Sequence, residues 1–267
     1  MKVGIAGTGA IGLSVARALD AGEIPGFTLA AISARRAERA AEVNAMLTTP
    51  VPVHDFAGLA EHCDVIIECL PPQLFPEIAR PVLLAGKTLV VLSASQLLQQ
   101  GDLVDLSEAH GGKIIVPSGA MLGLDAIKAA AVGRLTSVSM TTRKPVAGLI
   151  GAPYLVKNGI DLSEIIEPVC IMSGSVSEIA CEFPANVNVA AAISLAGLGP
   201  DLTRLEIWAD PKVTRNVHSV RVTSDSSDFT MSIEGRPSDD NPATGRITAQ
   251  SVIALLRQMT ATLRIGT

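Results

Sequence analysis

Through the first half of the chain, short β-branched apolar runs alternate with segments whose apolar residues recur at helical spacing. Strands are expected at 3–6, 29–33, 51–54, 65–68, 88–92 and 113–116, with helices between them at 10–21, 36–46, 56–61, 72–84 and 96–110. A repeated strand–helix order needs crossovers on both faces of a sheet, so the pattern predicts an α/β fold with a doubly wound parallel sheet of Rossmann type. Beyond Pro117-Ser-Gly119 the strands lengthen and alternate, at 137–143, 205–209, 217–223 and 229–234. Helices are expected at 124–132 and 188–196, and a shorter one at 175–181 opens on the capping box Ser175-x-x-Glu178.

The second half is therefore expected to be a separate α/β domain with a mixed sheet covered on one side. Segment 247–263 sets Val252, Leu255, Leu256, Met259 and Leu263 on one helical face and is expected to pack back on the first domain. The expected division is 1–118 with the C-terminal helix 247–264 for dinucleotide binding, and 119–246 for substrate binding and oligomerisation. An apolar open sheet face, suggested by 219–223 and 230–233, would require cover by a second copy, so a homodimer or higher homo-oligomer is expected.

Composition narrows the function. At 267 residues and 48% hydrophobic content the chain can fill two cores. An aromatic share of 3% and a net charge of −5 offer neither stacking platforms nor phosphate-binding charge, which argues against nucleic acid as a partner. Cys63, Cys69, Cys170 and Cys181 form no C-x-x-C pair and lie in apolar stretches, so they read as buried thiols in a reducing compartment, with no metal site. Lys2 and the apolar residues after it resemble a signal peptide, but the glycines and Arg17 interrupt the apolar core. No apolar run approaches the roughly 18 residues of a membrane span, and a cytoplasmic protein is expected.

The strongest chemical signal is Gly7-Thr-Gly9-Ala10-Ile11-Gly12, placed between the first strand and the first helix. Gly7 suits the tight turn, Gly9 lets backbone approach a pyrophosphate and Gly12 lets helix and strand pack closely, so Gly7 to Gly12, with Ala10 and Ile11, form the candidate dinucleotide loop. The second strand ends at Ser33, where an NAD-selective domain usually carries a carboxylate. Ser33, Arg35 and Arg36 suit a 2′-phosphate, so NADP is expected to be accepted as well as NAD; the plainer alternative is that Arg35 and Arg36 begin a solvated helix.

Other candidates are fewer. His54, His62 and His110 read as surface histidines, whereas His218 enters a second-domain strand after Arg215-Asn216-Val217 and from local sequence reads either as a satisfied core histidine or as an acid–base group. Asn186 and Asn188 precede an apolar helix, where an asparagine caps free donors or reaches a nicotinamide or a carboxylate. Arg143, Lys144, Lys212 and Arg215 offer charges for a dianion, or simply solubility at strand ends.

The segments Phe183-Pro184-Ala-Asn186-Val-Asn188-Val189-Ala190-Ala191, Arg215-Asn216-Val217-His218, Thr142-Arg143-Lys144-Pro145 and Asn241-Pro242-x-Thr244 together resemble the L-aspartate dehydrogenases, and the similarity runs from the glycine loop to the C-terminal helix. The resemblance implies a Rossmann domain joined to a substrate domain like that of homoserine dehydrogenase or dihydrodipicolinate reductase. It further implies a homodimer or larger assembly, and oxidation of L-aspartate with NAD or NADP to iminosuccinate, which yields oxaloacetate and ammonia and can feed NAD biosynthesis. By position, His218 matches the family's catalytic histidine, Asn188 its cofactor-binding asparagine, and Ala120 the contact of a cofactor loop at 117–120. The chain departs from familiar relatives at Ala94-Ser95-Gln96-Leu97, at Met121-Leu122 and at Glu68-Cys-Leu-Pro71-Pro72.

The chemistry implied is an amino dicarboxylate held by Arg143, Lys144, Arg215 and Asn186, with His218 taking a proton from its amine and later activating water. One group titrating in the ordinary histidine range is expected in the pH profile. Competing readings are an NADP-dependent imine reductase or dehydrogenase for another small amino or keto acid, and a non-catalytic NADP sensor on the same fold.

Overall fold

The computed structural model describes residues 1–183, 187–238 and 245–266. The chain forms two compact units, one of Met1–Gly119 with Thr248–Ile265 and a second of Ala120–Ile247.

The first unit is a five-stranded parallel sheet in the order β2-β1-β3-β4-β5. Its elements in chain order are β1 (Lys2–Ala6), α1 (Ala10–Asp20), β2 (Thr28–Ser33), α2 (Ala37–Ala45), α3 (Phe56–His62), β3 (Val65–Glu68), α4 (Phe75–Leu84), β4 (Thr88–Val91), α5 (Ala94–Leu97), α6 (Asp102–His110) and β5 (Lys113–Ile115). Helices cover both faces, so the central strands are apolar except at their ends. Val65 and Ile67 of β3 join a core with Leu13 and Val15 of α1 and with Ala249, Val252 and Leu256 of the C-terminal helix Arg246–Thr260. Ile66 faces the other way, into a core with Leu59, Phe75, Ile78 and Leu103. Each such side chain, fully buried, contributes about 1.5–3 kcal/mol.

Two segments depart from the expected pattern. Residues 51–54 form no strand: Ile32 pairs with Val53 in a single bridge, and the Asn44 carboxamide satisfies both backbone groups of Val51. Pro50 and Pro52 supply no amide donors there, so a ladder cannot extend. The helix expected over 96–110 is two, α5 and α6, separated around Gly101, and α6 ends on Gly111 in the left-handed conformation at φ 69°.

The second unit is a mixed sheet in the order β10-β9-β6-β8-β7. Its elements are α7 (Leu124–Ala130), β6 (Leu135–Lys144), α8 (Pro153–Lys157), β7 (Val169–Ser175), α9 (Val176–Glu182), α10 (Asn188–Ala196), β8 (Arg204–Ala209), β9 (Val217–Ser224) and β10 (Asp228–Glu234). The capping box forms as the sequence requires: the Ser175 hydroxyl accepts from the Glu178 amide, and the Glu178 carboxylate accepts from the Ser175 amide. On the inner face lie Val138, Met140, Val220, Val222, Leu205 and Ile207, all buried. The other face is polar, not apolar as expected: Ser139, Thr141, Ser219, Arg221, Thr223, Thr230 and Ser232 occupy the alternate positions.

Candidate active site

In the first unit, the glycine loop has the form a pyrophosphate requires. Gly7 sits at φ 98°, where other residues are strained, and a side chain on it would strike the Cys69 carbonyl. A side chain on Gly12 would strike the Gly7 carbonyl, so the α1 backbone can lie against the loop only if this position is glycine. Gly9 differs from both: its backbone suits any residue, and a Cβ there would meet no protein atom within 4 Å. Neither conformation nor packing asks for glycine at that position, and close approach by a ligand does. Helix α1 begins there with no side-chain cap and no acidic residue in its first turn, so its free amides and positive dipole end suit an anion. Ala10 and Ile11, half-buried, form the first turn.

At the end of β2, Ser33 is buried and its carbonyl accepts from the Gly7 amide at 3.0 Å, which ties this strand end to the loop. Arg35 and Arg36 are exposed, and Arg36 stands at the N-cap of α2. A third guanidinium, Arg39, goes unnoticed in the sequence because it is one more charge on a polar helix face. It donates to the Thr8 carbonyl at 2.9 and 3.3 Å while pairing with Glu42 at 2.9 Å, bracing the loop from α2.

Polar side chains are also buried where β3 and β4 end. Glu68, the last residue of β3, is 0% exposed and accepts four hydrogen bonds, from the amides of Leu70, Leu92 and Ser93 and from the Ser93 hydroxyl. Burial pushes its pKa up and the donated bonds pull it back. Ser95 and Gln96 are buried beside this turn. Ala120, half-buried, follows Gly119, whose amide donates to the Ser251 hydroxyl of the C-terminal helix; Met121 is buried and Leu122 exposed.

In the second unit the inner sheet face changes from apolar to polar at one end. Along β6 the inward residues run Val138, Met140, Thr142, Lys144, and along the antiparallel β9 they run Val222, Val220, His218. His218 stands directly opposite Thr142, with Nδ1 3.1 Å from the Thr142 hydroxyl oxygen. Both are buried, at 7% and 3% exposure, and Lys144, two residues along the same face, is 8% exposed. Desolvation, followed by the Lys144 charge, lowers His218 to a pKa of about 4. Desolvation likewise lowers Lys144 to about 8. The imidazole is therefore neutral at physiological pH, and it titrates well below the histidine range expected from sequence.

The remaining candidates separate. Lys144 is buried rather than a solvated strand-end charge. Arg143, its neighbour, points to the opposite face because strand side chains alternate; it pairs with Asp210 at 3.0 Å and lies 5.3 Å over the Trp208 ring. Arg215 pairs with Glu234 at 3.3 Å, and Lys212 with Glu167. Asn188 is the first residue of α10, half-buried, while Val187 takes the N-cap position, so Asn188 is not the cap. Asn186 and the segment Asn241-Pro242-x-Thr244 lie outside the described residues. Of the cysteines, only Cys63 is fully buried; Cys69 is half-buried, Cys170 and Cys181 are exposed, and all four are free thiols. Among the described residues no group of histidines, cysteines and carboxylates is placed to hold a metal ion, and no helix is long and apolar enough to cross a membrane.

Comparison with known proteins assigns the two halves. Residues 7–117 match the family model described as homoserine dehydrogenase, NAD binding domain, and residues 125–259 match aspartate dehydrogenase, C-terminal. The chain is 51% identical to the L-aspartate dehydrogenase of Bradyrhizobium diazoefficiens, over all of this chain and 94% of that protein. It is 49% identical to L-aspartate dehydrogenase 3 of Bordetella bronchiseptica, over 100% and 98% of the two. The crystal structure of aspartate dehydrogenase from Thermotoga maritima shares the fold, with a TM-score of 0.76 at 23% identity over 100% of this chain and 99% of that one. With a nicotinamide-dinucleotide domain in the first half and the aspartate dehydrogenase C-terminal region in the second, the chain belongs to the L-aspartate dehydrogenase family.

Proposed function

We propose that this protein oxidises L-aspartate to iminosuccinate with NAD or NADP, the imine then hydrolysing to oxaloacetate and ammonia. The observation that carries the reading is the polar end of the second unit's inner sheet face, where a neutral imidazole, His218, stands beside a buried ammonium, Lys144. A bound nicotinamide supplies the acceptor for the hydride that leaves the substrate Cα. The residues of the chain do the rest. Lys144, already stripped of water, offers its charge to a substrate carboxylate without a further desolvation cost. His218 accepts the ammonium proton that must depart before the Cα–H bond can break, and the negative charges of the substrate raise its basicity from the depressed resting value. Once that proton has passed to solvent, the same imidazole takes a proton from the water that adds to the imine carbon and returns it to the nitrogen, which leaves as ammonia. Arg143 and Arg215 would serve as carboxylate holders only by giving up Asp210 and Glu234.

The glycine loop, Ser33 and Ala120 would bind the dinucleotide, and Asn188, which matches the family's cofactor-binding asparagine by position, is a further candidate cofactor residue. Acceptance of NADP rests on Ser33, Arg35 and Arg36, since no carboxylate ends β2 to oppose a 2′-phosphate. A homodimer is supported by Ile150, Val156 and Ile166, exposed apolar residues between β6 and β7, rather than by the polar sheet face. Four free thiols agree with a cytoplasmic location.

The reading is tested by following absorbance at 340 nm with purified protein, L-aspartate and each cofactor. Aspartate-dependent reduction is expected, and H218N should lower kcat by about 10²–10⁴. No reduction with either cofactor, or full turnover by H218N, would overturn the assignment.

A further inference from the structure

Glu68 is a carboxylate fully withdrawn from water in the first unit, and its bonds connect two turns that are distant in sequence. One oxygen accepts from the Leu70 amide at 2.8 Å and from the Ser93 hydroxyl at 3.0 Å; the other accepts from the Leu92 and Ser93 amides at 3.2 and 2.9 Å. The turn after β3 and the turn after β4 are thus clipped together by one side chain. The first of them also backs the glycine loop: the Cys69 amide donates to the Ala6 carbonyl at 2.8 Å, and the Cys69 carbonyl fills the space a side chain on Gly7 would need.

Ligands of an open parallel sheet bind outside the carboxyl ends of its strands, at the point where the strand order reverses. In this sheet β2 lies on one side of β1 and β3 on the other, so the reversal falls beside β1, and Glu68 ends the strand bordering it. The anion-binding end of α1 accounts for the pyrophosphate, and the β2 end accounts for the adenosine ribose. The turns that Glu68 joins lie on the opposite side of β1 from β2, toward the other half of the dinucleotide. Burying a carboxylate is costly, and an apolar side chain would fill the same volume without that cost, so these two turns are held in one geometry by charge-assisted bonds.

We propose that Glu68 is a positioning residue for the nicotinamide half of the cofactor: it holds the Leu70 and Ser93 turns as one wall against which the nicotinamide riboside seats. The inference rests on the nicotinamide-cofactor reading and not on the identity of the amino acid oxidised.

The test is E68Q, titrated with NADH and NADPH by fluorescence and with ADP by calorimetry. A carboxamide in either orientation sets an NH2 group against a backbone amide, so one turn is released. The dinucleotide Kd is expected to rise about tenfold or more, while that of ADP, which lacks the nicotinamide riboside, stays within about twofold. Equal losses for ADP and the dinucleotides, or no loss for either, would overturn the positioning role, whereas a parent protein that binds neither dinucleotide would overturn the cofactor reading itself. If E68Q does not fold, S93A decides: it removes one donor and should weaken dinucleotide binding about threefold and leave ADP unchanged, and unchanged dinucleotide binding would sink the proposal.

Discussion

The Thr142 hydroxyl meets His218 Nδ1 at 3.1 Å across directly paired positions of two neighbouring strands, and this contact decides which ring nitrogen can act as a base. If Nδ1–H donates to the threonine oxygen, Nε2 keeps its lone pair and can accept a proton. T142V keeps the shape and loses the oxygen; it should cost about tenfold to a hundredfold in kcat/KM, with T142S near the parent. Nitrogen-15 NMR of the resting protein should find the Nδ1–H tautomer, and a proton on Nε2 would contradict the assignment.

His218 also makes stability depend on pH. Its folded pKa of about 4 lies below the unfolded value of 6.5, so above pH 6.5 it has no effect, and as pH falls from 6.5 toward 4 the unfolded chain gains a proton that the folded one refuses. Urea unfolding should show about 2 kcal/mol lost from this group between pH 7 and pH 5, a loss absent in H218N. In turnover, the limb of kcat/KM should lie well below the ordinary histidine range. The limb of kcat should lie higher, because bound carboxylates favour the imidazolium.

Lys144 exchanges stability for binding. Its pKa is lowered to about 8 by burial, so the cost of the buried charge is present in full below pH 8 and is relieved as pH rises from 8 toward 10.5. K144M should lose this pH dependence, and its KM for L-aspartate should rise at least about tenfold. In the parent, the same KM should climb above pH 8 as the ammonium is lost.

Arg35 and Arg36 are both exposed at the start of α2. Replacing both with alanine should weaken NADPH binding about tenfold or more and change NADH binding by no more than about twofold. Equal losses for the two cofactors would remove the 2′-phosphate role.

The glycine loop allows packing to be separated from binding. G9A adds a methyl group where no protein atom lies within 4 Å, so its unfolding free energy should stay within about 0.5 kcal/mol of the parent while dinucleotide affinity falls. G12A instead drives a methyl group into the Gly7 carbonyl and should lose stability and binding together.

Much of this was readable in the sequence because it is written locally. The glycine spacing, the Val65–Glu68 strand and the Ser175 capping box each rest on residues a few positions apart. What sequence reading missed depends on partners far along the chain. Glu68 reads as a polar strand end until Ser93, 25 residues away, supplies its donors. Thr142 and His218 are 76 residues apart, and Lys144 looks like a solvated lysine until sheet register turns it inward. The edge strand Val169–Ser175 carries no strand signal because its run ends in Ser-Gly-Ser with no sustained alternation, and 51–54 has the composition of a strand although its two prolines leave room for one bridge.

The core of the dinucleotide unit includes Ala249, Val252 and Leu256, which follow the whole of the second unit in the chain. On the ribosome, the nucleotide-binding half must therefore wait, with part of its apolar surface uncovered, until the insert has been translated. Nascent chains stopped before residue 248 should be more susceptible to proteolysis than longer ones, so the half that is made first is the last to be completed.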